Sequence, residues 1–213
     1  MIPRILHLAW VGDEAKRPAA CIQSWIDRYK DWDIRIWGND DLKDLPWINQ
    51  RHIDEMAHRE WNGVVDMMRY EILFRYGGFF VDADSWCLEQ IPDWMLKCEA
   101  FCCWENELVR PGLLAAGYLA SEPGTLFLNL LIQDIRMKRT VTDDSAWKTV
   151  GPLHLTETWR RLQYNALTVF PSHFFIPRHY TGLEYTKCGP VYASQEWGST
   201  LRSYDQISKK EKP

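Results

Sequence analysis

The sequence predicts an α/β sandwich with a largely parallel sheet. Through the first half of the chain, apolar runs of strand length alternate with segments whose apolar residues recur at helical spacing. This alternation is typical of parallel strands covered by helices. The 213 residues, 46% hydrophobic and 25% charged, have the composition of a folded globular chain of one domain. In such a fold the ligand site is expected at the C-terminal ends of the strands.

The first predicted strand covers residues 5–11, a nearly continuous apolar run that ends at Gly12. Continuous apolar runs are typical of strands that are buried on both faces of a sheet. A helix follows over residues 18–29, because its apolar residues have helical spacing and Pro18 suits a first turn. A second strand is predicted over residues 33–37, where apolar and polar residues alternate.

The next helix, over residues 61–76, leads directly into a third strand. Its apolar stripe stops at Gly77 and Gly78, since glycine accepts the left-handed conformation at a helix end. Residues 79–81 then form a short buried strand. Further strands are predicted over 100–104, 113–120 and 167–170, and further helices over 126–137 and 152–162.

Two aspartates follow the third strand. Asp82 and Asp84 are two residues apart, so in extended geometry their carboxylates face the same way. Two close carboxylates repel each other unless a proton or a cation lies between them. Hard divalent cations such as Mg²⁺ take oxygen ligands and often share them with substrate phosphates. The pair predicts a metal–diphosphate site, although isolated Asp-x-Asp triplets are also common in loops.

The helix before this strand carries a second charged pair. Asp66 and Arg69 are three residues apart and therefore lie on one helix face. An ion pair within the helix and a ligand-binding pair both explain this spacing. Because the helix ends at the strand that carries the two aspartates, its position favours the ligand-binding interpretation.

The run from Asp66 to Asp84 reads DMMRYEILFRYGGFFVDAD. It resembles the signature of the metal-dependent glycosyltransferases with a DXD motif, which include fungal initiating mannosyltransferases, capsular polysaccharide sugar transferases and virus-encoded domains. Their pattern is Asp-x-x-Arg-Tyr, a leucine, Tyr-Gly-Gly, a few apolar residues and Asp-x-Asp. Further likenesses are the opening residues 2–12, Ser24-Trp25, and Gly151-Pro152 with Leu155-Thr156.

The resemblance implies a GT-A fold: a three-layer α/β/α sandwich with a mostly parallel sheet, here one domain over residues 1–207. It also implies Mn²⁺ or Mg²⁺ and a nucleotide-diphosphate sugar as donor. Asp84 and Asp82 are the expected metal ligands, with Asp82 also on the ribose, and Asp66 and Arg69 would bind the donor sugar. These four residues are the expected catalytic set, and the donor is expected to contact Ala9, Trp10, Asp66, Arg69, Asp82, Ala83, Asp84 and Ser199.

Three of these assignments come from a likeness to glucosylating toxins. In those toxins the tryptophan of the opening strand stacks on the nucleobase, a role that corresponds to Trp10; ordinary packing is the alternative. Glu196 and Ser199 resemble a toxin loop in which a glutamate joins the metal and a serine touches the β-phosphate. Other family members have a histidine-rich stretch where Gln195-Glu196 stands here, so the third metal ligand departs from their pattern. From the toxin likeness Glu196 is expected in that role, with a solvated surface carboxylate as the alternative.

The expected reaction moves a hexosyl or deoxyhexosyl group from a UDP-sugar, or secondarily a GDP-sugar, to a glycan or glycoprotein acceptor. The carboxylates Glu105 and Glu107 flank a later strand end, where an acceptor-side base could lie; exposed loop carboxylates are the alternative. With 25 Lys and Arg against 29 Asp and Glu, the net charge of −4 argues against sequence-independent nucleic-acid binding. We expect no membrane span in this chain, because no apolar run is long enough.

Two rival functions fit parts of the sequence. The 12 tryptophans would suit a non-catalytic carbohydrate-binding module, which leaves Asp66, Arg69, Asp82 and Asp84 unexplained. An aspartyl-nucleophile phosphohydrolase also carries Asp-x-Asp after a strand, but Trp86 stands where that class has Thr or Val. Cytoplasmic action is expected (in the host if the chain is virus-encoded), or luminal action if it is an excised domain. Residues 208–213 are predicted to be a polar tail or the start of a linker.

Overall fold

The computed structural model of the protein describes residues 1–207 and 209. The predicted tail at 208–213 therefore lies outside the described residues, apart from Lys209. The strands are β1 (Ile5–Ala9), β2 (Asp33–Trp37), β3 (Gly78–Val81), β4 (Ser85–Cys87), β5 (Ala100–Asn106), β6 (Arg110–Ser121), β7 (Leu167–Phe170) and β8 (Ala193–Gln195). The α-helices are α1 (Ala19–Arg28), α2 (Asn39–Asp44), α3 (Gln50–Ala57), α4 (Trp61–Tyr76), α5 (Leu126–Arg136), α6 (Ala146–Thr149), α7 (Pro152–Leu162), α8 (Gly198–Leu201) and α9 (Tyr204–Ile207).

Six strands form the central sheet in the order β2-β1-β3-β6-β5-β7. β1 pairs in parallel with both β2 and β3, and β5 pairs in parallel with β7. β6 is antiparallel to both of its neighbours, β3 and β5, so the other five strands run in one direction. This arrangement confirms the predicted, largely parallel α/β sheet. β4 and β8 pair separately in a two-stranded sheet.

Apolar clusters cover both faces of the central sheet. One cluster packs the sheet against α3, α4, α5 and α7; the other packs it against α1 and the irregular segments around residues 91–96 and 174–193. Cys102 and Cys103 of β5 point into opposite clusters, as the alternation of a strand requires. The sandwich therefore has three layers: a helical layer on one face, the central sheet, and a layer on the other face that is helical only in part.

The turn between α4 and β3 brings the sequence signature to the centre of the sheet. Gly77 has φ +64°, in the left-handed region that favours glycine. At Gly78 a Cβ atom would lie 2.5 Å from the carbonyl oxygen of Ile5, so only glycine lets β3 begin this close to β1. Because β3 is central and fully buried, the residues that follow it are held on a rigid support. Among the described residues, no helix combines the length and apolar character needed to cross a membrane.

His7 on β1 is a buried, neutral histidine. Trp37 Nε1 donates to His7 Nδ1 at 3.2 Å, which leaves Nε2 to donate to the Gly77 carbonyl oxygen at 2.8 Å. Burial lowers the pKa of His7 from 6.5 to about 4, although the hydrogen bond to Gly77 opposes the shift. Because the folded pKa lies below the unfolded one, the unfolded chain takes up a proton first as the pH falls. The stability that neutral His7 contributes is therefore complete above pH 6.5 and is lost towards pH 4.

We expect His7→Gln to flatten the acid limb of the stability profile. Between pH 7 and pH 4, wild-type protein should lose about 3 kcal/mol more unfolding free energy than the variant, given the shift from 6.5 to about 4. Urea unfolding at closely spaced pH values measures the difference. Parallel profiles for the two proteins would contradict the assignment of His7 as buried and neutral.

Candidate active site

A cavity of about 940 Å³ opens at the C-terminal ends of β1 and β3, where the α/β pattern places a ligand site. Ala9 and Trp10, at the end of β1, form part of its wall, as do Asp82, Ala83 and Asp84. The backbone N–H of Asp82 donates to the carbonyl oxygen of Gly117 at 3.0 Å, which fixes the chain as it leaves β3. The DXD motif is thus anchored to the sheet and lies on the cavity surface.

The carboxylates of Asp82 and Asp84 face the same point. The Nε2 amide of Gln195, at the end of β8, lies 3.3 Å from Asp82 Oδ2 and 3.0 Å from Asp84 Oδ1. Gln195 is itself oriented by Tyr118, whose hydroxyl donates to Gln195 Oε1 at 2.8 Å. The two carboxylates converge as expected, but residues 82–84 form a turn between β3 and β4 instead of the expected extended segment. A neutral amide donor from a distant strand bridges the two groups.

Asp84 is buried, and its described partners are neutral. Its side chain accepts from the backbone N–H of Gly198 at 2.7 Å and from Gln195, and no Lys, Arg or His of the described residues forms an ion pair with it. Burial raises the pKa of the Asp84 carboxyl to about 7, and the nearby Asp82 charge adds to the shift. An ionised carboxylate that is buried among neutral partners lowers the stability of the folded protein, and a bound cation would remove that penalty.

Arg69 joins the helix pair to the DXD motif. Its guanidinium forms ion pairs with Asp66 through Nη1 and with Asp82 through Nη2. The Arg69 side chain is 2% exposed, and its plane lies over the ring of Phe80 at 4.9 Å. Burial raises the pKa of Asp66 to about 7, although Arg69 opposes the shift. The predicted intrahelical pair therefore exists and is also part of a buried network at the cavity.

Two glycines leave room for these carboxylates. A Cβ atom on Gly117 would collide with Asp82 Oδ2, and one on Gly151 would lie 2.7 Å from Asp66 Oδ2. Gly151 directly precedes α7 and belongs to the Gly151-Pro152 element that resembles the family pattern. The sequence gives a reason to notice Gly151, but nothing near Gly117 marks it as part of the site.

The remaining predicted site residues are only partly brought together. Trp10 is half-buried on the cavity wall; its Nε1 donates to the carbonyl oxygen of Asp13, and its ring meets Tyr204 edge-on at 5.0 Å. Ser199 is exposed and also lines the cavity. Packing against Tyr204 is thus one role of Trp10, and stacking on a base stays a prediction.

Glu196 contacts Asp84 through the backbone, where its N–H donates to the Asp84 carbonyl oxygen at 3.0 Å, while its carboxylate turns to another partner. Its Oε1 accepts from Trp86 Nε1 at 2.7 Å, and the residue is not part of the cavity lining. Its neighbour Gln195 points at the pair instead, because successive residues of a strand face opposite sides. Among the described residues, no group of three or more His, Cys, Asp and Glu side chains is placed to hold a metal ion. The site that the structure offers consists of the carboxylate pair and Gln195.

Comparisons with known proteins place this fold and site. Residues 15–101 match the family described as the glycosyltransferase sugar-binding region containing the DXD motif. Inositol phosphoceramide mannosyltransferase 2 of Schizosaccharomyces pombe (strain 972 / ATCC 24843) is 22% identical over 180 residues, which are 76% of this chain and 47% of that protein. Inositol phosphoceramide mannosyltransferase 3 of the same organism is 28% identical over 92 residues, 40% of this chain and 25% of that protein. The chain thus spans about half or less of the length of these relatives.

Solved structures show the same fold at low sequence identity. A glycosyltransferase involved in the glycosylation of the major capsid of PBCV-1 aligns over 97% of this chain and 99% of its own, with 12% identity and a TM-score of 0.55. The PaToxG glycosyltransferase aligns over 76% of this chain and 70% of its own, with 13% identity and a TM-score of 0.54. The fold is that of a GT-A glycosyltransferase. The family match over residues 15–101 and the DXD site make this chain similar to the DXD-motif glycosyltransferases.

Proposed function

We propose that this domain transfers a hexosyl or deoxyhexosyl group from a nucleotide-diphosphate sugar, with UDP-sugars preferred over GDP-sugars, to a glycan or glycoprotein acceptor. One observation carries the proposal: the paired carboxylates of Asp82 and Asp84 lie on a large cavity, and Asp84 has neutral partners among the described residues. The relatives of this chain are named mannosyltransferases, which places mannose among the hexoses to be tested.

The side-chain oxygens at this site suit a hard divalent cation such as Mn²⁺ or Mg²⁺. Asp82 and Asp84 direct carboxylate oxygens towards one point. Gln195 would add its amide oxygen if its carboxamide group rotated so that Oε1 replaced Nε2. Such a cation often takes only one or two carboxylates from the protein and completes its shell with water and substrate phosphates. When bound, it would stabilise the negative charge of the departing nucleoside diphosphate as a Lewis acid.

The protein's own groups position the reaction. Arg69 holds Asp66 and Asp82 at fixed points on the cavity wall, so their oxygens are preorganised for donor hydroxyls. Ser199 lies at the cavity beside Gly198, where we propose that its hydroxyl meets the diphosphate. Trp10 offers an apolar surface on the same wall, and we propose that the nucleobase stacks there.

We expect UDP or GDP to stabilise the protein only together with Mn²⁺, because the diphosphate and the carboxylates share the cation. Ligand that binds only the folded state raises its stability by RT ln(1 + [L]/Kd), about 2.7 kcal/mol at one hundred times Kd. Thermal unfolding with nucleotide alone, Mn²⁺ alone and both measures the effect. UMP with Mn²⁺ is the matched control, since it lacks the β-phosphate. Equal shifts with and without Mn²⁺ would contradict the proposal.

A further inference from the structure

Tyr204 in α9 contacts two separate parts of the expected donor site. Its ring meets the Trp10 ring edge-on, with 5.0 Å between the ring centres. The same ring packs against Gly198, whose N–H donates to Asp84 Oδ2 at 2.7 Å. Tyr204 also lines the cavity. One side chain therefore connects the tryptophan proposed to stack on the nucleobase with the backbone donor that holds Asp84.

The close approach of the Tyr204 ring explains the glycine at position 198. A Cβ atom on Gly198 would lie 2.3 Å from Cε1 of Tyr204 and 2.9 Å from Asp84 Oδ2. The φ angle of Gly198 lies outside the left-handed region, so the backbone conformation alone does not require glycine here. The ring and the carboxylate fill the space that a side chain would take. Movement of the ring would therefore release the Gly198 N–H from its place beside Asp84.

The position of Tyr204 is fixed by the chain on both sides of it. The N–H of Ser203 donates to the carbonyl oxygen of Gly198 at 3.0 Å, which closes the turn between α8 and α9. At the end of α9, Ile207 is buried against residues of α1 and β4, and the Tyr204 ring packs on the same cluster. These contacts hold the ring in one position, as a positioning role requires.

We propose that Tyr204 is a positioning residue that sets the affinity of this site for both the divalent cation and the nucleobase. The inference rests on the proposed function, in which Asp84 binds the cation and the base stacks on Trp10. The Gly198 N–H orients the Asp84 carboxylate, and the Tyr204 ring supports that N–H. The edge-on contact fixes the tilt of the Trp10 ring in the same way. Tyr204 acts through these neighbours and is not a catalytic residue.

Two separate titrations test the proposal: Mn²⁺ alone, followed by the electron paramagnetic resonance signal of the free ion, and UMP in the presence of a chelator, followed by calorimetry. Tyr204→Ala should weaken Mn²⁺ binding about ten-fold, the loss typical when a group that orients a metal ligand is removed. It should also weaken UMP binding about three-fold, through loss of the edge-on contact. Tyr204→Phe keeps the ring and should restore both affinities. Asp84→Asn should weaken only Mn²⁺ binding, and Trp10→Ala only UMP binding.

Two further variants separate positioning from a general loss of packing. The matched control is Tyr185→Ala, which removes a half-buried tyrosine that stacks on His173 outside the cavity lining and should change neither affinity. Gly198→Ala tests the contact from its other partner, because the added methyl group must displace the Tyr204 ring or the Asp84 carboxylate. It should weaken Mn²⁺ binding in wild-type protein. It should cost less in protein that already carries Tyr204→Ala, where the ring is gone.

The outcomes distinguish this inference from the function on which it rests. If wild-type protein binds neither Mn²⁺ nor UMP, the proposed function fails, and the inference fails with it. If wild-type protein binds only one of them, Tyr204 does not serve two ligand positions, and the inference alone is wrong. It is also wrong if Tyr204→Ala changes one affinity or none, if Tyr185→Ala has the same effects, or if Gly198→Ala leaves Mn²⁺ binding intact.

Discussion

Arg69→Met is expected to lower the free energy of unfolding by about 3–5 kcal/mol at pH 8, because it leaves the carboxylates of a buried ion-pair network without their cation. Arg69 is the cation that both Asp66 and Asp82 contact, and its side chain is almost completely buried. Methionine fills a similar volume but leaves two carboxylates without a counter-charge. The loss should be smaller at pH 5, since protonation of Asp66 then removes one of the two charges.

Urea unfolding of wild-type and variant protein measures this loss. The matched control is Arg136→Met, which replaces an exposed arginine near the end of α5 and should change stability by less than about 0.5 kcal/mol. Arg69→Lys keeps the charge without the planar fork that reaches two carboxylates, so its stability should be intermediate. If Arg69→Met and Arg136→Met unfold at the same urea concentration, the buried network does not contribute as described.

Asp84→Asn is expected to reduce sugar transfer and donor hydrolysis by at least about 10²- to 10³-fold, the loss seen when a preorganised electrostatic group is removed. The carboxamide keeps the size of the side chain, and its oxygen can still accept from the Gly198 N–H. The variant loses the charge that would hold a divalent cation. Because that charge is buried among neutral partners, its removal should not destabilise the cation-free protein.

Product formation by mass spectrometry and unfolding of the cation-free protein together test this prediction. The control is Asp93→Asn, which removes an exposed carboxylate that pairs with Arg4 on the surface. Its activity should equal that of wild-type protein. An Asp84→Asn variant that folds and retains wild-type turnover would exclude Asp84 from the reaction.

The fold was largely predictable because its signals are local. The central strands are continuous apolar runs, and α4 ends where two glycines follow its apolar stripe. The strand pattern correctly predicted β5 and β6 but ended them early at their shared turn. There the chain is polar, and backbone pairing between Asn106 and Arg110 extends the hairpin. Seven short elements were not predicted, since each depends on packing against the rest of the chain: α2, α3, α6, α8, α9, β4 and β8.

The candidate site was predictable only where one sequence segment contains it. Asp66, Arg69, Asp82 and Asp84 all lie in the α4–β3 run, and the structure brings them together. Gln195 approaches Asp84 from 111 residues away, so no local pattern could show that it, and not Glu196, faces the pair. The register of β8 against β4 decides between these neighbours, and that register is a tertiary property.

We propose that Asp82 and Asp84 share a divalent cation with a nucleoside diphosphate. The most direct measurement is a crystal structure of the protein with Mn²⁺ and UDP, using anomalous scattering at the manganese edge to locate the ion. We predict an anomalous peak within coordination distance of both carboxylates and of the diphosphate oxygens. Diphosphate bound in the cavity with no such peak between these side chains would contradict the account.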